Sequence, residues 1–425
     1  MIVSITYEQL QQLQDLLPFW GSRYDYACIL KSNQCESACH YDTYEFIAGF
    51  ANHGTKEYTS TENIDQNEYW KLGYLTYEYK HNLHGIDILK GTPTGFSGCF
   101  FFEPQILFYV KRNSLDLEII GGNASILNDI LAFNIPNETP SIKALQPRIS
   151  KEHYIQNIEK IKDKIVAGDF YEINFCMDFF SLDSQISPPH VFQRLNQISP
   201  TPFAAYVKHD KKYLLSASPE RFLKRTAQQI IAQPIKGTIR RSTDPSEDEH
   251  LKTRLLQSEK ERAENIMIVD LMRNDLARCA ETGSVKAEEL LGLYTFATVH
   301  QLISTVSASL VSDISFDEIL KNTFPMGSMT GAPKREVMHM IDELEQSARG
   351  IFSGSVGYIA PNKDFDFNVV IRSIVYNELL KYMSLHVGSA ITYDADAEQE
   401  YHECLLKSRT MRKALQCDID FENLN

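Results

Sequence analysis

The chain has 425 residues, 43% of them hydrophobic and 23% charged, a globular composition long enough for a large core and two structural units. Its net charge of −14 argues against a general nucleic-acid binder, which would carry a basic face, but leaves room for a local cationic cluster around an anionic substrate. No apolar run reaches the ~18–20 residues of a membrane helix, Met1–Thr6 shows neither a basic stretch nor a cleavage site, and eight scattered cysteines make no disulfide framework, so a reduced, cytoplasmic protein away from membranes is expected.

Thr6-Tyr7-Glu8-Gln9 reads as a capping box opening a short helix with Leu10, Leu13 and Leu17 on one face. Strand-like runs follow at Tyr24–Leu30, Tyr69–Tyr79, Cys99–Val110 and Leu115–Ile120. Between the first two, Cys35-x3-Cys39-His40 suggests zinc, but no second ligand pair follows at zinc-site spacing. Prolines 136, 140 and 147 mark 134–149 as a linker between an N-terminal region, 1–133, and a larger region, 150–417.

Ser150 opens a helix with Tyr154, Ile158, Ile161 and Ile165 on one face, and Gly168 ends it. Strands are predicted at Tyr171–Phe180, Phe203–Lys208, Tyr213–Ala217 and Gln229–Ala232, then one long polar helix from about Asp244 to Cys279. Helices start near Ser315 and Pro333, strands return at Gly354–Ile359, Phe367–Tyr376 and Tyr382–Val387, and a last helix covers about Ala395–Leu415. Strands in runs, with helices between groups, predict an α+β fold with largely antiparallel sheets.

Several segments are suited to chemistry. Pro234-Ile235-Lys236-Gly237-Thr238 sets a lysine after a strand, either a solvated charge or a nucleophile. Glu220, in Ser218-Pro219-Glu220-Arg221-Phe222, can serve as a general acid if burial raises its pKa, or be a salt-bridged loop residue. Glu261 and Glu264 lie three apart on one predicted helix, and Glu400 and Glu403 on another. That spacing puts each pair on one face, and such hard oxygen ligands suit Mg²⁺; the alternative is two solvated faces. Gly327–Lys334 is a flexible loop running into a helix start that can hold an anion, without Walker A spacing. His300 lies in an apolar run, and Asp270–Asp275 reads as a buried polar network.

Taken in order from Ser150 to Leu415, these segments resemble the chorismate-utilising enzymes: anthranilate synthase component I, aminodeoxychorismate synthase component I, and the isochorismate and salicylate synthases. The resemblance runs through Gly168–Asn174, Ser-Pro-Glu-Arg-Phe, Pro-Ile-Lys-Gly-Thr, Asn265–Asp275, Gly327–Lys334, Gly354–Tyr358, Ile371-Arg372 and Glu400–Lys407. It implies large antiparallel sheets with helices packed outside, in α/β/β/α layers. It also implies chorismate as substrate, Mg²⁺ as cofactor, and lysine at position 236 in the members that aminate C4. There a lysine amine adds at C2 and expels the C4 hydroxyl; ammonia then adds at C4 and expels the lysine. Such an amine must be deprotonated, so Lys236 is expected to have a lowered pKa.

By the same resemblance Glu220 is the general acid and His300 and Thr238 sit beside the ring. Tyr358, Arg372 and Lys407, with backbone of Gly388 and Ser389, bind carboxylates, and Glu261, Glu264, Glu400 and Glu403 hold Mg²⁺. The implied product is 4-amino-4-deoxychorismate, a precursor of 4-aminobenzoate and folate, with ammonia from a separate glutamine amidotransferase subunit, since the chain ends at Asn425 without room for a fused one.

Three features depart from the pattern. Position 172 is usually glutamine in amine-forming members and lysine in water-adding ones, so Glu172 is unexplained. The stretch Gly388-Ser389-Ala390 is normally richer in glycine. Ile29-Leu30-Lys31-Ser32 only weakly resembles a tryptophan-binding segment of some relatives, and tryptophan binding is not inferred. Two alternatives stay open: anthranilate synthase component I, which shares all but Lys236, and a non-catalytic chorismate- or amino-acid-binding paralogue that regulates a partner. Intact Lys236, Glu220 and both glutamate pairs speak against the latter.

Overall fold

The computed structural model describes residues 1–34, 41–88, 90–96, 98–123, 125–138 and 140–420. The Cys35/Cys39/His40 cluster lies outside them. Two antiparallel sheets, of twelve and ten strands, make up the centre among the described residues; one strand of each lies off the orders given next, Gln146–Pro147 beside Glu172–Ser181 and Lys286–Thr295 beside Val299–Ser309. The first runs, edge to edge, Ile2–Ser4, Asp116–Ile120, Ile106–Lys111, Tyr44–Ala51, Tyr26–Lys31, Phe203–His209, Lys212–Ser218, Ser373–Asn377, Tyr382–Ile391, Glu172–Ser181, Gly331–Ala332. The second runs Ile235–Arg240, Val299–Ser309, Gln229–Gln233, Arg221–Thr226, Phe365–Asn368, Ser355–Ile359, Lys71–Leu75, Cys99–Phe102, Glu57–Tyr58. Each sheet therefore draws strands from both sides of 134–149.

Three apolar clusters define the layers. One joins the first sheet to the helices Tyr7–Trp20, Lys151–Ala167, Pro188–Ile198 and Ala397–Leu415. A second lies between the sheets, and a third joins the second sheet to the helices Glu259–Ala277 and Phe316–Thr323. The result is helix, sheet, sheet, helix. The Tyr26–Lys31 strand shows why the sequence reads as it does: Ala27 and Ile29 face the helices while Tyr26 and Cys28 face the other sheet. A strand covered on both faces has no polar face to alternate with.

Two predicted elements are broken. The run 99–110 is two strands in different sheets, Cys99–Phe102 in the second and Ile106–Lys111 in the first, parted at Pro104, which cannot donate to a ladder. The helix predicted over 244–279 is two helices, Pro245–Gln257 and Glu259–Ala277. Ser258 separates them in an extended conformation, its hydroxyl accepting from the Glu261 N–H at 3.4 Å. The missed signal is Ser258-x-x-Glu261, a capping pattern inside an otherwise helical run.

Candidate functional site

The site forms where the two sheets come together. Lys212–Ser218 belongs to the first sheet and Arg221–Thr226 to the second, so Glu220 sits on the crossing between them. Lys236 comes from the edge strand Ile235–Arg240 of the second sheet, Glu172 from the Glu172–Ser181 strand of the first. Their side chains meet across the gap: Lys236 Nζ donates to Glu172 Oε1 at 2.9 Å, the glutamate fully buried and the lysine largely so. The glycine of Pro-Ile-Lys-Gly-Thr is required there. Gly237 has φ +93°, and a Cβ would lie 3.1 Å from Leu302 and 3.3 Å from Glu261 Oε2. Asn265, which opens one of the resembling segments but was given no role from sequence, is fully buried and donates to the carbonyls of Lys236 and Leu302, both at 3.2 Å, fixing the glutamate helix to this strand.

Electrostatics divide the pair of candidate catalytic groups. Burial pushes the Glu220 carboxyl up to about 7, against the opposing pull of Ser328, Lys236 and the Ile235 backbone. Such a group is protonated near neutrality and can donate a proton. For Lys236 the expected lowering is overturned. Burial does pull its ammonium down, but the negative charges of Glu172, Glu264 and Glu220 outweigh burial and hold its pKa above the ordinary value. The resting lysine is a cation.

The four glutamates come from facing ends of Glu259–Ala277 and Ala397–Leu415. Lys260 bridges the helices, its Nζ 3.2 Å from Glu400 and 3.9 Å from Glu264. Burial raises the Glu264 carboxyl to about 7, and its Oε1 is buried with no hydrogen-bond donor. Burial and Glu403 also raise Glu261. Glu403 pairs with Lys407 at 2.7 Å. These oxygens fit a hard divalent cation in donor type and in the orphaned Glu264 atom, with Lys260 Nζ standing between the helices in the present arrangement. They are not drawn into one tight cluster. Among the described residues, the group of three possible ligand side chains with atoms within 4.8 Å of one another is Asp25, His53 and Asp210. There His53 Nε2 lies 3.0 Å from Asp210, at an exposed position.

Arg372 makes no side-chain hydrogen bond or ion pair among the described residues and is half-buried; burial lowers its pKa, and the more distant charge of Glu403 opposes that only in part. Lys407 Nζ donates to the Gly388 carbonyl at 2.8 Å. Gly388 must lack a side chain, since a Cβ would lie 2.5 Å from Cys176 Sγ and 2.6 Å from Asn174 Oδ1. The Ser389 hydroxyl points instead into the core, 3.1 Å from the Tyr154 hydroxyl. Thr238 is exposed and accepts from Gln301 Nε2 at 3.2 Å. It lines an open cleft of about 470 Å³ with Arg254, Ser258 and Glu261.

Three expectations change. Tyr358 is not with the others. It packs between the sheets against Tyr44 and Trp70, ring centroids 5.4 and 5.9 Å away. It lines a cavity of about 60 Å³ with Leu30, Lys31, Ser32 and Phe203. Side chains alternate along a strand, so Val356 and Tyr358 face the inter-sheet core. His300 is fully buried with both ring nitrogens engaged, by Asp248 at 3.0 Å and Thr295 at 2.9 Å. It pairs with Ile239 while Thr238 pairs with Gln301, so His300 and Thr238 leave opposite faces of that ladder.

The third change is in the loop Gly327–Lys334, which is not a free anion cradle. Gly331 and Ala332 pair with Ile173 and Glu172, and Lys334 Nζ is bound by Asp275 at 2.6 Å. The loop walls Glu172 in. Of Asp270–Asp275, only Asp275 is in a buried network; Asp270 pairs with Arg273 at the surface.

A family profile described as chorismate binding enzyme matches residues 5–413. The chain is 40% identical to the chloroplastic aminodeoxychorismate synthase of Arabidopsis thaliana over 370 residues, covering 81% of this chain and 40% of that protein. It is 37% identical to aminodeoxychorismate synthase component 1 of Escherichia coli K12 over 271 residues, covering 64% of this chain and 59% of that one. It thus spans less than two thirds of either relative. Among solved structures it superposes on anthranilate synthase component I from Streptococcus pneumoniae with TM-score 0.70 and 26% identity, over 80% of each chain.

Proposed function

The chain belongs to the chorismate binding enzyme family, and within it we propose that it aminates chorismate at C4, forming 4-amino-4-deoxychorismate. The observation that carries this reading is Lys236 itself: a buried lysine, held beside a protonated carboxyl and opposite a carboxylate, where the amination of C4 with retention needs a transient nucleophile. The names of the relatives agree with it. In this reading Lys236 adds at C2 and Glu220 protonates the departing C4 hydroxyl. Arg372 and Lys407 meet the substrate carboxylates, and Thr238 lies at the mouth of the cleft.

Glu261, Glu264, Glu400 and Glu403 would hold Mg²⁺. Bound there, the ion would supply positive charge for a substrate carboxylate and neutralise the glutamates around it. Lys260 must then give up Glu264 and Glu400. His300, with both nitrogens engaged, acts in this reading by fixing the ladder that carries Thr238. The nitrogen source is ammonia, from a separate glutamine amidotransferase partner, and the product serves 4-aminobenzoate and folate formation.

The test is a product assay with chorismate, Mg²⁺ and ammonium, with and without an aminodeoxychorismate lyase. A product that the lyase converts to 4-aminobenzoate is expected. Anthranilate appearing without lyase would overturn the reading. Lys236→Ala should abolish amination while leaving chorismate affinity largely intact; an undiminished rate would remove lysine from the mechanism.

A further inference from the structure

Glu172 is the residue at the site that the proposed function leaves without a task. It is 1% exposed, one oxygen is bound to Lys236 Nζ, and the other, Oε2, is buried with no hydrogen-bond partner. A buried carboxylate with a single donor is an expensive arrangement to maintain. We infer that Glu172 is a catalytic base, the proton acceptor that turns the resting Lys236 ammonium into the amine that attacks the substrate ring.

The inference rests on the lysine-adduct reading above. Carboxyl groups face Lys236 from several elements: Glu172 from the first sheet, Glu220 from the crossing, Glu264 and Glu261 from one helix and Glu403 from another. Of these, only Glu172 is hydrogen-bonded to Nζ. Glu220 already carries a proton near neutrality. Moving the proton 2.9 Å from Nζ to Glu172 Oε1 turns a buried ion pair into two neutral groups, which a low-dielectric site tolerates better once substrate has expelled water.

The proton count closes over the cycle. Glu172 takes one proton from Lys236. The amine forms the N–C2 bond, the ring double bonds shift toward C4, and the C4–O bond breaks with the Glu220 proton leaving in water. Ammonia then forms the C4–N bond, the double bonds shift back, and the C2–N bond breaks to release the lysine amine. Glu172 returns its proton to Lys236, and Glu220 regains one from the new C4 ammonium. The net change is chorismate plus ammonia to aminodeoxychorismate plus water.

The full chain is mixed with chorismate and Mg²⁺ without ammonium, and the Lys236 adduct is followed by peptide mass, alongside steady-state amination. Glu172→Gln, which brings in the residue usual here in amine-forming members, keeps an oxygen that accepts from Lys236 but cannot take the proton, while in this chain the charges of Glu264 and Glu220 still favour the lysine cation. It should form adduct roughly 100-fold more slowly at neutral pH, with KM for chorismate unchanged, and should recover as pH rises and solvent takes over as acceptor. Glu172→Ala should be partly rescued by formate, which a purely structural role would not allow; this second variant decides if Glu172→Gln folds poorly. A wild-type rate and pH profile in Glu172→Gln, or no formate rescue of Glu172→Ala, overturns the inference alone. A wild-type chain that forms neither adduct nor aminated product overturns the lysine reading and this inference with it.

Discussion

Glu220 ties chemistry to pH at the scale of one residue. Burial raises its carboxyl to about 7, so between its ordinary value and 7 the folded protein binds a proton that the unfolded chain has released. Two consequences follow from the sign. The acid function proposed for Glu220 would be present below about pH 7 and lost as pH rises through it, so single-turnover adduct formation should lose rate on that limb, and Glu220→Gln should lack the limb and react roughly 100-fold more slowly. Stability should also fall as pH rises from the ordinary glutamate range toward 7, because ionising Glu220 costs more in the fold than outside it. Glu220→Gln should therefore melt higher than wild type at alkaline pH and not at acidic pH. An identical pair of melting curves at alkaline pH would mean that Glu220 is not buried as seen here.

The element that most shapes the site is the break at Ser258. A continuous helix over 244–279 would carry Glu261 and Glu264 in a different direction from one that restarts at Glu259. Ser258 makes the restart: its hydroxyl satisfies the Glu261 N–H, and its carbonyl begins the next helix. Removing that cap costs about 1 kcal/mol in typical helices. Ser258→Ala is predicted to lose about that much stability and to weaken Mg²⁺ affinity, measured by calorimetry, more than it weakens chorismate binding. Equal loss of both would mean that the break serves the fold alone. The pattern was present in the sequence as Ser-x-x-Glu, but it was hidden by helix-favouring residues on both sides.

At the scale of the whole molecule, the interleaving of strands governs behaviour. Tyr26–Lys31 pairs with Phe203–His209 over six residues, so the first sheet is sewn across 134–149. In the second sheet Lys71–Leu75 pairs with Ser355–Ile359 over five. A fragment beginning at 150 would expose both apolar edges, a template for aggregation. It is predicted to be insoluble or unfolded, whereas co-expression with 1–149 should restore soluble protein. A soluble, cooperatively folding 150–425 fragment would show that the larger region stands alone.

The residues by themselves determined a good deal. Periodicity and capping marked Tyr7–Trp20 and Lys151–Ala167, whose ends at Ser150 and Gly168 agree with the fold. Ordered motifs indicated the sheets, the family and the acidic helix faces, because side-chain spacing on a helix or strand is a local matter. Tertiary structure alone decided which sheet each strand joins, the separation of Tyr358 from the site, the engagement of His300 by Asp248, and the meeting of Glu172 with Lys236. The last two contacts join residues 52 and 64 positions apart. Their energies depend on burial and on neighbouring charge, which exist only once the two sheets have closed on each other. Hence Lys236, a plausible low-pKa nucleophile by its motif, is a cation in the resting fold.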